Sequence, residues 1–317
     1  MENTIRKEKQ IPEVLCVGQA VIDCITRGRE ANPYKENVYR AETIRLHTGG
    51  DAVNEAMALT AMGRRAGVVC CLGRDIAGDT IWRELESAGV CTDRIVRMDI
   101  DTPIANLQVA ADGSRFSVNS NAIRLEGFHI VPAVLEGPRI ISFASLFRPP
   151  LEKSEDVTEL IRHAKQNGAI ISADTKLPVT GEIRIEEYAE VLPLVDFFFP
   201  NEKEAAYYSG EKTFPEMARV FREMGVRNVI IKAGKEGCYV SGEEGTFAIP
   251  AVPVAHVMDT TGAGDNFVAG FLAGVLVIDP EMPRPRDGVV AAAEEGTIGL
   301  CGESGLYFSL GCGEMGA

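Results

Sequence analysis

Residues 259–274, Asp-Thr-Thr-Gly-Ala-Gly-Asp-Asn-Phe-Val-Ala-Gly-Phe-Leu-Ala-Gly, concentrate more chemistry than any other stretch of this chain. Gly262, Ala263 and Gly264 run into a carboxylate, Asp265, after which Phe267, Val268, Phe271, Leu272 and Val275 follow helical spacing. A glycine-rich turn that opens a helix aims several backbone N–H groups at one spot, and the helix dipole adds partial positive charge there. That spot suits a phosphate. A carboxylate beside it supplies a base, and an anion cradle next to a base is what transfer of a phosphoryl group to a hydroxyl requires. The same residues also suit close helix packing with Asp265 as a cap, and a lone Gly-Ala-Gly-Asp leaves both readings open.

Four further segments place polar residues just past an apolar run. Asp23 follows the run 14–18, and Gly49, Gly50, Asp51 and Asn54 lead into a helical pattern. Asn201 and Glu204 follow Phe199-Pro200, and Lys232, Gly234 and Gly237 follow the run 228–231. An open α/β sheet collects its functional residues at such positions, and paired glycines let a ligand come close to the backbone.

Strands and helices in alternation must hold these segments. Apolar, β-branched runs predict buried strands at 14–18, 66–72, 139–143, 169–173, 196–199 and 228–231. Helical periodicity marks 52–62, 78–88, 154–167, 201–208, 214–224, 264–277 and 286–298. Such alternation predicts an α/β fold with a mostly parallel sheet covered on both faces. Segments 24–48 and 99–123 break the pattern, with polar residues interleaved among Tyr34, Tyr39, Ile104, Leu107 and Phe116. They read as strands of a small inserted sheet, a lid, with two long surface loops as the alternative. The expected organisation is a tail at 1–12, one domain over 13–305 with that lid inserted, and a tail at 306–317.

The 317 residues carry a formal net charge of −14, which opposes nucleic acid and anionic membranes as partners. A nucleotide would then need a local cation and a divalent metal. The eight cysteines form no Cys-x-x-Cys pair and the four histidines are scattered, so zinc is not expected. The first ten residues lack a signal-peptide core, and the apolar stretch 267–278 is too short and too interrupted by glycine to span a bilayer. A cytoplasmic protein with its cysteines as small buried hydrophobes is the expectation.

Taken together, the Asp-Thr-Thr-Gly-Ala-Gly-Asp signature, Gly49-Gly50 with Asn54, and Asn201 with Glu204 resemble the ribokinase-like sugar kinases, the phosphofructokinase-B family, over residues 13–305. The resemblance implies a three-layer α/β/α domain with a β lid, using ATP and Mg²⁺ on a small sugar. It makes Asp265 the base and the turn of Gly262, Ala263 and Gly264 the anion hole. Asp23, Gly49, Gly50, Asp51 and Asn54 match the sugar site. Asn201, Glu204, Lys232, Gly234 and Gly237 match the Mg²⁺–nucleotide side. Asp259 and Thr261 match ligands of a monovalent cation, K⁺ in ribokinases, with its remaining ligands expected in 299–305. Lid strands in this family often pair between subunits, which implies a homodimer.

The chain also departs from ribokinases. Asp51 stands where they carry lysine, and Ser145 stands where they carry glutamate. Lys176 lies near a basic position of fructokinases and ketodeoxygluconate kinases, and reads equally as site or surface. Rival readings are a nucleoside kinase, with Tyr34, Tyr39, Phe116 or Phe128 stacking a base, and a non-catalytic sugar or nucleotide sensor. A dinucleotide oxidoreductase would need Gly-x-Gly-x-x-Gly after the first strand, where Gly18-Gln19-Ala20 stands instead.

Overall fold

The computed structural model describes residues 11–28, 30–31, 39–109, 115–178, 181–252, 262–278, 300–302 and 305–307. Strands in chain order are β1 (Val14–Val17), β2 (Val21–Arg27), β3 (Glu30–Ala31), β4 (Tyr39–Arg40), β5 (Thr43–Gly49) and β6 (Ala66–Val69). Then come β7 (Cys71–Gly73), β8 (Val96–Met98), β9 (Ile104–Val109), β10 (Arg115–Asn119), β11 (Ile140–Leu146) and β12 (Ile170–Thr175). The remainder are β13 (Phe197–Phe199), β14 (Val229–Lys232), β15 (Cys238–Gly242), β16 (Gly245–Ile249), β17 (Leu300–Gly302) and β18 (Gly305–Tyr307). The α-helices are α1 (Asp51–Ala61), α2 (Ile76–Ala88), α3 (Ser154–Gln166), α4 (Glu202–Ser209), α5 (Phe214–Glu223) and α6 (Ala263–Ile278).

An eight-stranded sheet in the order β16-β15-β14-β13-β12-β11-β1-β6 forms the centre. Its strands from β6 to β14 run parallel, and β15 and β16 close one edge antiparallel. Alternating side chains sort its two faces. Val14 and Cys16 join α1, α2 and α6 in one apolar cluster, while Leu15 and Val17 join α3, α4 and α5 in the other. Helices thus cover both faces, and the result is a three-layer α/β/α arrangement whose carboxyl edge is free to carry a site.

The smaller sheet has the order β10-β9-β2-β5. Residues directly opposed in its register share a face, so Asp23 and His47 lie on one side. The other side carries Ile44, Leu46, Phe116 and Val118, each at least half exposed.

Three expectations need correction. Asp23 is not a loop residue at the end of the first strand; it belongs to β2 in the small sheet, which starts at Val21 rather than at 24. The single strand expected over 66–72 is two strands, because Ala66–Val69 pairs with β1 whereas Cys71–Gly73 turns to β8. An unbroken apolar run does not record a change of partner. The hairpin β15–β16 is not predicted from the sequence, because its Glu243-Glu244 turn lacks the Asn-Gly or Asp-Gly signal. The helix expected over 286–298 lies outside the described residues. Among the described residues, no helix is long and apolar enough to cross a membrane.

Candidate active site

At the carboxyl edge of the large sheet, α6 begins immediately after Gly262. That glycine has φ +73°, a left-handed turn that favours glycine, and its carbonyl accepts from Asn266 N at 2.9 Å. Ala263, Gly264 and Asp265 form the first turn of the 16-residue α6, so their N–H groups sit at the positive end of the helix dipole. Asp265 is buried there. Asn54, from the first turns of α1, donates to its Oδ2 at 2.7 Å, and Lys176 Nζ lies 3.2 Å from its Oδ1.

Lys176 was open between site and surface in the sequence; it is in the site. Its backbone is pinned between elements, with Lys176 N donating to Leu146 O at 3.1 Å and Tyr208 Oη donating to Lys176 O at 2.6 Å. Its ammonium also lies 3.1 Å from Asp51 Oδ1 and 3.8 Å from Asp174 Oδ2. Asp51 accepts a second bond from Ser145 Oγ at 2.7 Å, so the two positions that depart from ribokinases are partners of each other. Ser145 lies within β11, not after it, because that strand extends to Leu146.

On the other flank, Lys232 Nζ donates to Asp174 Oδ1 at 2.5 Å and lies 3.3 Å from where a Cβ on Gly264 would stand. Gly234 and Gly237 frame the short turn that follows β14. Asn201 caps α4: its Oδ1 accepts from Glu204 N at 3.0 Å, and Glu204 Oε2 accepts from Asn201 N at 2.9 Å. Thr175 Oγ1 donates to the same Glu204 oxygen at 3.1 Å, which ties this capping box to the end of β12.

On the small-sheet side, Gly49 makes room for Asp23, whose Oδ2 lies 2.2 Å from where a Gly49 Cβ would stand. Gly50 precedes α1. Asp23, Asp51 and Asp265 therefore face a common space from three elements. Asp259 and Thr261 lie outside the described residues, as do residues 299, 303 and 304 of the segment 299–305.

Crowded acids raise each other's affinity for protons. Burial first, then Asp51 and Asp265, push the Asp23 carboxyl from 3.8 up to about 6. Burial lifts Asp265 above the ordinary carboxylate range and Asp51 adds to this, while Lys176 and Asn54 pull the other way. Burial would also raise Asp51, but the Lys176 ammonium and the Ser145 hydroxyl together leave it below its usual value. Asp174 stays raised by burial despite Lys232. These are the three ways an environment moves a carboxyl: desolvation, neighbouring charge and hydrogen bonding.

Three functional candidates had no clear signal in the sequence. Asp174 and Lys176 follow an ordinary apolar strand, and only their place at its carboxyl end marks them. Glu55 sits in a helical pattern like a surface residue, yet it is buried beneath the site and accepts from Ser142 Oγ at 2.6 Å. Burial pushes its carboxyl well above the ordinary carboxylate range.

Known proteins resemble this chain in sequence and in fold. Ribokinase of Haemophilus influenzae is 28% identical over 259 residues, covering 80% of this chain and 82% of its own. An ATP-dependent 6-phosphofructokinase of Thermoanaerobacterium thermosaccharolyticum is 25% identical, covering 83% of this chain and 81% of its own. The fold is that of Arabidopsis thaliana ribokinase, solved with ribose and ATP, at TM-score 0.74 and 22% identity over 90% of this chain and 91% of that one. Fold and relatives define an enzyme class, the kinases of carbohydrates and nucleosides. The profile of the pfkB family carbohydrate kinases matches residues 12–280, and the chain belongs to that family.

Proposed function

We propose that this enzyme transfers the γ-phosphoryl group of MgATP to a hydroxyl of a small sugar or sugar derivative. The observation that carries the reading is Asp265, buried at the N-terminus of α6 behind left-handed Gly262 and held by Asn54 and Lys176. A hydroxyl donating to Asp265 would lie beside the N–H groups of Ala263, Gly264 and Asp265. Those groups would steady the moving phosphoryl while the carboxylate accepts the proton. A weak base suffices, since a loose phosphoryl-transfer transition state needs the proton removed late.

Asp23, Asn54 and the backbone at Gly49 and Gly50 form the sugar side, with Asp51 reaching it from the start of α1. Lys232, Gly234, Gly237, Asn201 and Glu204 form the nucleotide side. Asp174 Oδ2, buried with no hydrogen-bond partner, and Glu204 offer the hard oxygens that Mg²⁺ takes, often through its waters. Mg²⁺ would supply charge neutralisation on the phosphates there. A monovalent cation would be held by Asp259 and Thr261.

Of the aromatic candidates for stacking a base, Tyr34 lies outside the described residues, and two others lie away from the acids, which favours a sugar. Phe116 lies on the face of the small sheet opposite Asp23, and Phe128 packs against Cys71 and Leu125. In the single domain 13–305, segments 24–48 and 99–123 act as the lid that keeps water from the transferred phosphoryl. Their exposed apolar face pairs with a second copy to form a homodimer.

ADP release with MgATP, across ketoses, aldoses, sugar acids, sugar phosphates and nucleosides, tests the reading; no turnover with any of them would overturn it. Hydrogen exchange with and without the substrate found tests the lid. Protection confined to 262–265 would remove the lid assignment.

A further inference from the structure

Asp265 lies among acids. Asp51 and Glu55 face it from α1, Asp23 from β2 and Asp174 from β12, and Glu204 of α4 lies behind Asp174. Burial raises the Glu55 carboxyl well above its ordinary value. Two lysines answer them, and they divide the work. Lys232, from β14, pairs with Asp174. Lys176 is the one cation paired with Asp265 among the described residues, at 3.2 Å.

The ammonium of Lys176 is unusually well fixed for a lysine. Its backbone is bonded on one side to β11 and on the other to Tyr208 of α4, and Asp51 holds its Nζ at 3.1 Å. Asp51 is in turn held by Ser145 at 2.7 Å. A chain of contacts Ser145–Asp51–Lys176–Asp265 thus runs from the middle of the sheet to the start of α6. Each side chain in it restricts the next.

We propose that Lys176 is a positioning residue for Asp265: its ammonium, fixed by Asp51 and Ser145, keeps the carboxylate charged and aimed while Asn54 holds the second oxygen. Asp51 acts here through Lys176, in addition to facing the sugar. This rests on Asp265 being the base, so the test is built to separate the two claims. Removing Lys176 leaves Asp265 buried among carboxylates without the one cation paired with it, while Lys232 stays engaged with Asp174, and a carboxyl in that setting takes up a proton at higher pH.

Carboxyl-¹³C aspartate in the full-length protein gives one signal per residue, and the signal lost in Asp265→Asn identifies Asp265. In Lys176→Met that signal should titrate at clearly higher pH than in the wild type, and in Lys176→Arg close to the wild type. Lys176→Gln replaces Lys176→Met if the latter does not fold. An Asp265 signal that titrates at the same pH in the neutral variant and the wild type overturns the proposal. This arm needs no substrate, so it stands even if the panel of acceptors shows no turnover, a result that would count against the kinase reading instead. With an acceptor in hand, Lys176→Met should lose turnover by about tenfold or more near pH 6. The loss should shrink toward alkaline pH, with the KM for ATP unchanged. A loss of equal size at every pH marks a structural role and also overturns it.

Discussion

At the carboxyl edge of the large sheet, each buried acid has a partner: Lys176 and Asn54 for Asp265, Lys176 and Ser145 for Asp51, Lys232 for Asp174. On the small sheet, the Asp23 side chain makes no ion pair or hydrogen bond among the described residues, and two of its neighbours are acids. The first arrangement holds charges in place at the cost of desolvation, which the paired lysines offset. The second leaves a partly exposed carboxyl with room to accept from water or from a ligand. On the proposed function, the contrast separates residues that would shape the reacting centre from one that would meet substrate hydroxyls, and it gives the two sheets different sensitivities.

The largest effect belongs to the paired edge. Asp265→Asn keeps shape and removes the base, and turnover should fall roughly 10²- to 10⁴-fold with the KM for ATP little changed. Near-normal turnover would make Asp265 only a cap. Asn54→Ala removes a donor from the base as well as from the sugar side, so it should lower kcat and raise the sugar KM together. Loss of one such bond costs about 1–3 kcal/mol, or roughly 5- to 150-fold in kcat/KM for the sugar. An equal rise in the KM for ATP would show that the two pockets have been exchanged.

The unpartnered acid should respond in the opposite sense, through stability. A carboxyl raised from 3.8 to about 6 in the folded state favours folding while protonated, and that contribution is lost as pH rises through about 6. Asp23→Asn should therefore stabilise the ligand-free protein above pH 6, by about 1–2 kcal/mol after allowing for partial exposure, and not near pH 4. Thermal unfolding at the two pH values measures this, and a gain of equal size at both would mean that charge is not the cause. The same variant should weaken sugar binding. Smallest of all for the chemistry is Leu46→Glu on the exposed face of the small sheet. It should convert a dimer to a monomer by light scattering while leaving Asp265 and its neighbours undisturbed; an unchanged mass would move the interface elsewhere.

Much of the large sheet was legible because buried parallel strands are short apolar runs and their helices show clean periodicity. The turn at Gly262 was legible too, since it depends on residues adjacent in the chain. Asp23 was legible as a residue and misplaced as an element. Val21–Arg27 mixes Asp23, Thr26 and Arg27 with apolar residues, and a strand that pairs mainly in a small exposed sheet shows no continuous apolar run. Lys176 could not be assigned at all. A lysine three residues beyond an apolar strand looks the same whether it meets solvent or three carboxylates.

The chemistry available was settled by the sequence itself: a glycine turn into a helix led by a carboxylate, with paired glycines and an asparagine elsewhere to meet a ligand. Backbone conformation and helix dipoles are local properties, so local sequence suffices for them. Which acid met which lysine was decided only by the tertiary structure. Asp51, Ser145, Asp174, Lys176 and Asp265 come from α1, β11, the end of β12 and α6, and charge pairing depends on distances that chain order does not encode. Coulomb energy in a buried site changes steeply over a few ångströms, so the fold, and not the residue type alone, sets the proton affinity of Asp265.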